Sequence, residues 1–362
     1  MKSFKRVMYT VAGGMILLGI ILAIVGFLLG GGGLFTINSH GISSNNSIIH
    51  FQHGKIMSNN YSTFKQKKIA LGNIKNIKIN TNDSNIRVIE SDSFSIEYTY
   101  LSGNGKPCHT VKDGELIYDE PNTNGFSFSW GDDNDDNYYI NLYIPKNASL
   151  DSFDIDSSSG DISVSNFTAK SLSINSSYGD VDIDNVISTN TKVKLSSGDS
   201  EITNINTDVL DYNNSYGNAD FSSINTLNPT DTNKNGKISL TLSSGDTTID
   251  KCTANKLEMK NSYGDIELSQ VNATDMTGDL SSGSITAENC DLGNTNIDSK
   301  YGDVTLGLSK AISMYDYNIN CDYGDVTIDN SEYEGNVLSS NNHPNKITID
   351  ASSGDVDLSF LK

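Results

Sequence analysis

The sequence predicts an all-β protein: a parallel β-solenoid of about ten coils of 19 residues, capped by a smaller N-terminal β-region and preceded by one transmembrane helix. Three observations predict it. The tetrapeptide Ser-[Ser/Tyr]-Gly-Asp recurs through the second half, mostly at a spacing of 19 residues. The apolar residues on either side of it alternate with period 2, the mark of strands with one buried face. Near the N-terminus, the run from Val7 to Leu29 holds no charged side chain.

That run comes first in the chain. Lys2, Lys5 and Arg6 precede it, and residues 1–6 form a short stub. As a helix it would span about 35 Å, enough for a hydrocarbon core of about 30 Å. It is longer than the apolar core of a signal peptide, and no small-residue cleavage site follows. Gly30 to Gly33 end it, because four glycines make helix continuation costly. The next basic residue is Lys55, so the positive-inside bias keeps the N-terminus cytoplasmic and sends the rest outside the cell membrane. The expected topology is a single-pass signal anchor at 7–29 with an extracellular C-terminal domain.

Residues 30–65 are weakly patterned and rich in Asn, Ser and His, and read as a linker or stalk. Alternation begins at Ile74 and continues through NIRVIE, FSIEYTYL, ELIYDE, GFSFSW and YYINLYI. Asn82-Asp83-Ser84-Asn85 is a turn between the first two segments. No 19-residue period exists here, so 66–150 reads as a cap, either a small β-domain or irregular first coils. A cap is expected because an open solenoid end exposes strand edges.

Residues 151–362 carry the repeat. Its glycines are Gly160, Gly179, Gly198, Gly217, Gly245, Gly264, Gly283, Gly302, Gly324 and Gly354, at steps of 19, 19, 19, 28, 19, 19, 19, 22 and 30. The three long steps read as loops inserted into the frame. Taking each glycine as position zero, positions −7, −5, −3, +2, +4 and +7 carry most apolar residues, for instance Leu172, Ile174, Val181, Ile183 and Val186. The parity shifts across the glycine, so the chain turns there. Each repeat is then two strands and two corners. It cannot bury its apolar face alone and must stack on its neighbours. Ten coils at about 4.8 Å each would extend roughly 48 Å. Helical repeats are excluded, since the apolar period is not 3.6. Cys252 and Cys290 fall at +7 and Cys321 at −3, so they read as buried thiols; Cys108 lies upstream. Residues two coils apart are too distant for a disulfide.

Three segments together resemble a known family. They are Asn73–Glu90, the stretch YIPKNASLDSFDIDSSSGDISV, and the ladder of SSGD and SYGD repeats. They are similar to the bacterial β-strand-repeat family known as putative adhesins, a domain family of unknown function, from Ile74 to the C-terminus. The repeats also resemble the C-terminal part of Gram-positive envelope-stress regulators. The resemblance implies a surface or membrane-anchored protein and supplies no catalytic residues.

Composition narrows the function. The formal charge is −20, from 25 Lys+Arg against 45 Asp+Glu, which argues against a nucleic-acid partner. Arginine occurs only as Arg6 and Arg87, so guanidinium forks for phosphate are scarce. The corner acids Asp161, Asp180, Asp199, Asp246, Asp265, Asp303, Asp325 and Asp355 form a column interrupted by Asn218 and Ser284. Like charges one coil apart repel by about 0.9 kcal/mol at water dielectric, which calcium would relieve. The glycine-rich nonapeptide of calcium β-rolls is missing, so solvated acids making local turn bonds are the favoured reading. The loop Gly131–Asn137 is densely acidic but lacks the bidentate Glu of a helix–loop–helix calcium site. His50 and His53 have no third ligand nearby, and His40, His109 and His343 are scattered. No metal, cofactor or catalytic residue is assigned, and Ca²⁺ stays the one cofactor considered. The acids are periodic, which argues against a single glycan-cleaving site.

Position −1 alternates: Ser159, Tyr178, Ser197, Tyr216, Ser244, Tyr263, Ser282, Tyr301, then breaks at Tyr323. The favoured reading is that each ring fills corner space left by the neighbouring serine. The other is that Tyr178, Tyr216, Tyr263, Tyr301 and Tyr323 form a partner surface. The leading functional expectation is a membrane-anchored, non-enzymatic adhesion or cell-envelope binding module, meeting wall polymer, surface glycan or an envelope protein. A regulatory partner in envelope-stress sensing is the alternative, and a glycan-acting enzyme the third.

Overall fold

The computed structural model describes residues 62–102, 105–121, 138–146, 148–226 and 236–361, with short strands at Phe35–Asn38, Gly41–Ser44, His50–Gln52, Lys55–Met57 and Phe128–Ser129. The predicted membrane segment 7–29 and the acidic loop 131–137 lie outside the described residues, as do His40 and His53. Among the described residues no helix is long and apolar enough to cross a membrane, and the helical content is one 3₁₀ turn, Ile312–Met314.

The chain forms two compact units. The smaller gathers Met1–Ser62, Ser102–Gly105 and Thr123–Asn134. In it Phe35–Asn38 pairs with Gly41–Ser44, and Lys55–Met57 pairs with His50–Gln52 and Phe128–Ser129, all antiparallel. Strands of two to four residues are too short to show a period, which is why 30–65 reads as unpatterned.

The larger unit, Thr63–Leu101, Lys106–Asn122 and Asp135–Lys362, is all-β and solenoid-like. Its coils stack in parallel and in register. Ile162 pairs with Val181, Val181 with Ser200, and Ser200 with Ala219. The same holds before the corner, where Ile174, Val193, Tyr212, Leu240 and Met259 follow one another. Both sets face inward and are buried. Full burial of such a side chain contributes about 1.5–3 kcal/mol, and stacking is the only way a 19-residue coil obtains it. Cys252, Cys290 and Cys321 are buried at the inner positions the repeat assigns them, and all four thiols are unpaired.

Each coil turns at two corners. At the first, the glycines adopt φ from +106° to +138° at every position but Gly324. A Cβ on Gly217 would stand 2.1 Å from the carbonyl oxygen of Gly198, so stacking as well as φ requires glycine. At the second corner, six residues on, Asn166, Asn185, Asn204, Ser223, Lys251, Gln270 and Asn289 all adopt φ between +51° and +60°. Four are Asn, the side chain that best tolerates this region.

The ends depart from sequence order. At the C-terminal end, Asn345–Ala351 inserts between the strand Ile285–Ser299 and Tyr315–Cys321, pairing in parallel with both. Likewise Val356–Phe360 lies between Val304–Leu308 and Asp325–Ile328. The Gly354 coil therefore sits beneath the Gly324 coil, although it follows it in the chain. The steps of 22 and 30 residues are thus not loops in a regular frame, as the spacing suggests; they mark this exchange. The extra residues include Ser331–Glu334 and Val337–Ser339, which cover the outer edge of the last coil as antiparallel strands.

The N-terminal end repeats the arrangement. Asn76–Thr81 and Asn85–Ser91 form a coil paired in parallel with the first repeat strands, with Ser84 where later coils have glycine. The next coil in sequence, Glu115–Asp119 with Tyr139–Pro145, lies outside it. His109–Lys112 and Ser95–Ser102 then close the outer edge as antiparallel strands. Large aromatics fill this end: Tyr98, Tyr100 and Tyr118 are buried, with Tyr98 edge-on to Tyr118 at 5.0 Å.

Candidate binding surface at the glycine corner

The residue after each corner glycine makes a bond that runs along the stack. The Asp180 amide donates to Asp161 Oδ1 at 3.0 Å, and Asp199 to Asp180 at 2.8 Å. Asn218 donates to Asp199, Asp246 to Asn218, Asp265 to Asp246 and Ser284 to Asp265. Asp303 then donates to Ser284 Oγ, Asp355 to Asp303 Oδ1 and Asp325 to Asp355 Oδ1. At the other end, the Asp161 amide donates to Asn85 Oδ1. From sequence alone these acids are expected to make local turn bonds. They bond instead to the next coil, because stacking brings that amide nearer than the residue's own turn. Asn218 and Ser284 interrupt the charge but not the ladder, since an acceptor oxygen on a short side chain suffices. The carboxylates stay exposed.

A second pattern lies inside the corner, at position −3. Asn214 Nδ2 donates to the carbonyls of Gly198 at 2.9 Å and Gly217 at 3.5 Å, and Asn261 Nδ2 to those of Gly245 at 3.2 Å and Gly264 at 3.1 Å. Ser299 Oγ donates to Gly302 and Cys321 Sγ to Gly354. One Asn serves two coils, so the coil between needs no polar group and carries Leu195, Leu242 or Leu280. The true repeat is therefore two coils.

The tyrosines follow that double repeat. They occupy position −1 of the coils whose −3 residue is Ser176, Asn214, Asn261, Ser299 or Cys321, and serine occupies the others; the first coil, with Ser157 at −3 and Ser159 at −1, lies outside the alternation of the −3 residue. Corner filling is not what they do. Tyr178, Tyr216, Tyr263 and Tyr301 are 64–66% exposed and Tyr323 is 79% exposed. The break at Tyr323 disappears in space: the Gly302 amide donates to the Ser353 carbonyl and the Gly354 amide to that of Tyr323. Ser353 thus stands between Tyr301 and Tyr323. The result is an unbroken Ser/Tyr alternation along one corner, beside the acid column.

Other candidates for chemistry lie apart from this surface. Cys108 and His109 adjoin Tyr98, whose hydroxyl is 2.8 Å from His109 Nδ1 and accepts from the Cys108 amide. Burial pushes the thiol up to about 11 and the imidazole below its ordinary value. Both shifts oppose a thiolate–imidazolium pair. Glu120 accepts from Thr81 Oγ1, from the Asn82 amide at 3.1 Å and from Ser84 Oγ at 3.1 Å. Its burial, tempered by those bonds, holds the carboxyl above the usual range. His343 Nδ1 contacts the Tyr315 carbonyl and, at 3.2 Å, Asp316. Among the described residues no group of three or more His, Cys, Asp or Glu is placed to hold a metal.

Fold and corner together define a class: a stacked-coil β-repeat protein with a regular aromatic and acidic edge. The chain belongs to the Toastrack DUF4097 family, whose model matches residues 74–238 and again 193–359. The two matches overlap and together span both ends and the repeats. Among solved structures, it is similar to a putative adhesin from Bacteroides fragilis, at 18% identity and a TM-score of 0.38, covering 69% of this chain and 98% of that one. It is also similar to a putative cell adhesion protein from Clostridium sporogenes, at 12% identity and a TM-score of 0.17, covering 83% of this chain and 99% of that one. No curated protein matches the chain.

Proposed function

We propose that the chain is a non-enzymatic binding module, held at the cell membrane by residues 7–29, that presents the glycine corner to other molecules of the cell envelope or of a foreign surface. One observation carries the reading: five tyrosines stand well exposed in register along a single edge. Rings held out on a rigid backbone cost little ordering entropy on binding and offer both an apolar face and a hydroxyl. A fold that needed only corner packing would bury them. The charge-free run behind Lys2, Lys5 and Arg6 supports the anchor and the outside location of the repeats.

The test is photo-crosslinking in cells producing the full chain, with the crosslinker at Tyr216 or Tyr263 and, as control, at Lys192, which is exposed on a flat face. Capture of envelope or foreign surface material from the tyrosine positions and not from Lys192 is the expected result. Recovery of one membrane protein equally from all three positions would overturn it and favour a regulatory role.

A further inference from the structure

We infer that the tyrosine edge takes an extended, uncharged, linear polysaccharide laid along the stack, one disaccharide to every two coils. The inference rests on the binding-module reading and names its ligand class. Coils repeat every ~4.8 Å, so tyrosines on alternate coils stand about 9.6 Å apart. That is the scale of a disaccharide in an extended chain of equatorially linked sugars. The intervening serines, Ser197, Ser244, Ser282 and Ser353, leave a gap between rings into which the second sugar of each pair fits.

Chemistry selects the ligand class as well as spacing does. The rings offer flat apolar faces suited to the C–H face of a pyranose. The neighbouring carboxylates each use Oδ1 for the amide of the next coil, leaving the other oxygen to accept from sugar hydroxyls. The same column repels polyanions, so phosphate-bearing or uronic-acid polymers are excluded. A folded protein partner without a stacked repeat of its own would not share a period that persists over five tyrosines, and a second copy of this chain would bring a like-charged acid column against this one. The exchange of the last two coils is what extends the row from Tyr301 to Tyr323 without a change of step.

The experiment uses the full chain in detergent and β-1,4-linked N-acetylglucosamine oligomers of two to ten sugars as the probe, with isothermal titration. Affinity should rise stepwise with each added pair of sugars, up to the length spanned by the five tyrosines. Raising salt should change it by less than two-fold, because the ligand is uncharged. Each Tyr→Ala change should weaken binding of the longest oligomer about five-fold, and Lys192→Ala, exposed on a flat face away from the corner, should leave it unchanged. Y216A and Y263A must keep the wild-type circular dichroism, which their exposure predicts. Affinity independent of length, or equal for wild type and for Tyr178, Tyr216, Tyr263 and Tyr301 replaced together, would overturn the inference. If the oligomers fail while tyrosine-dependent crosslinks to other material persist in cells, the polysaccharide is wrong and the binding module stands. If both fail, the binding-module reading falls as well.

Discussion

The middle of the solenoid and its two ends solve different problems. From Gly160 to Gly302 every coil has a neighbour on both sides, so one local rule, repeated, satisfies each backbone group. The outermost coils have a free edge, which a parallel stack cannot pair and which would recruit other chains. Both ends meet this in the same way. The chain steps outward, reverses through antiparallel strands that cover the edge, and returns to fill the place beneath. The reversals use tight turns with positive φ: Asp113-Gly114 at +52° and +79°, and Asp329-Asn330 at +46° and +65°. Those are the conformations a two-residue hairpin requires. Regularity thus comes from stacking, and termination comes from hairpins.

The largest effect expected from this contrast concerns chain order. A chain ending after Asn342 lacks Asn345–Ala351 and Val356–Phe360, which are the inner neighbours of Tyr315–Cys321 and Asp325–Ile328. In a stack built in sequence order, the coil at 315–328 would survive the loss. Here it should unfold too, and limited proteolysis with mass spectrometry should find protection ending near Leu308.

Next comes a single methyl group in the middle. Gly217→Ala combines a φ of +131° with a Cβ at 2.1 Å from a backbone oxygen that cannot move without shifting the coil below. A loss of about 3 kcal/mol or more is expected by denaturant titration. Gly72→Ala, at an end, shares the positive φ (+76°) but meets nothing within 4 Å, so it should cost only the backbone term, about 1 kcal/mol.

The double repeat predicts a smaller loss. Asn214→Leu removes two bonds to glycine carbonyls and the acceptor for the Tyr216 amide, and should cost about 1–3 kcal/mol. Asn261→Leu should cost less, because Asn261 Oδ1 is already buried without a partner and its removal relieves that penalty. No loss at either position would count against the two-coil account. At the second corner the sign reverses: Gln270→Asn should gain about 0.5 kcal/mol, since Gln270 sits at φ +51° where Asn is better tolerated.

The smallest effect is a slope with pH at the N-terminal end. The folded Glu120 carboxyl holds its proton more tightly than the unfolded one, chiefly through burial. Between the ordinary Glu value and that raised one, the native state binds more protons than the unfolded chain. Stability contributed there falls as pH rises through the window. Glu120→Gln keeps an acceptor for Thr81, Asn82 and Ser84 and removes the titration, so calorimetry across the window should show a flatter profile.

Sequence by itself determined the coil. Period-2 alternation around a glycine repeated every 19 residues leaves no other way to bury the apolar face, and the inward thiols and the glycine corner follow from it. The aromatic positions were legible for the same reason, as residues Tyr178 to Tyr301 at one register. Their exposure was not, because a side chain next to a turn can point inward or outward without changing the pattern. The acid column could be seen, but its bonds could not, since they join residues 19 to 52 apart through the stack. The two end hairpins did leave a signal in Asp113-Gly114 and Asp329-Asn330, though short strands beside them gave it no frame. Coil order at the ends was decided by tertiary structure alone. All coils share one register, so local sequence fits a strand equally well above or below its neighbour. Only the need to close a free edge chooses between the two.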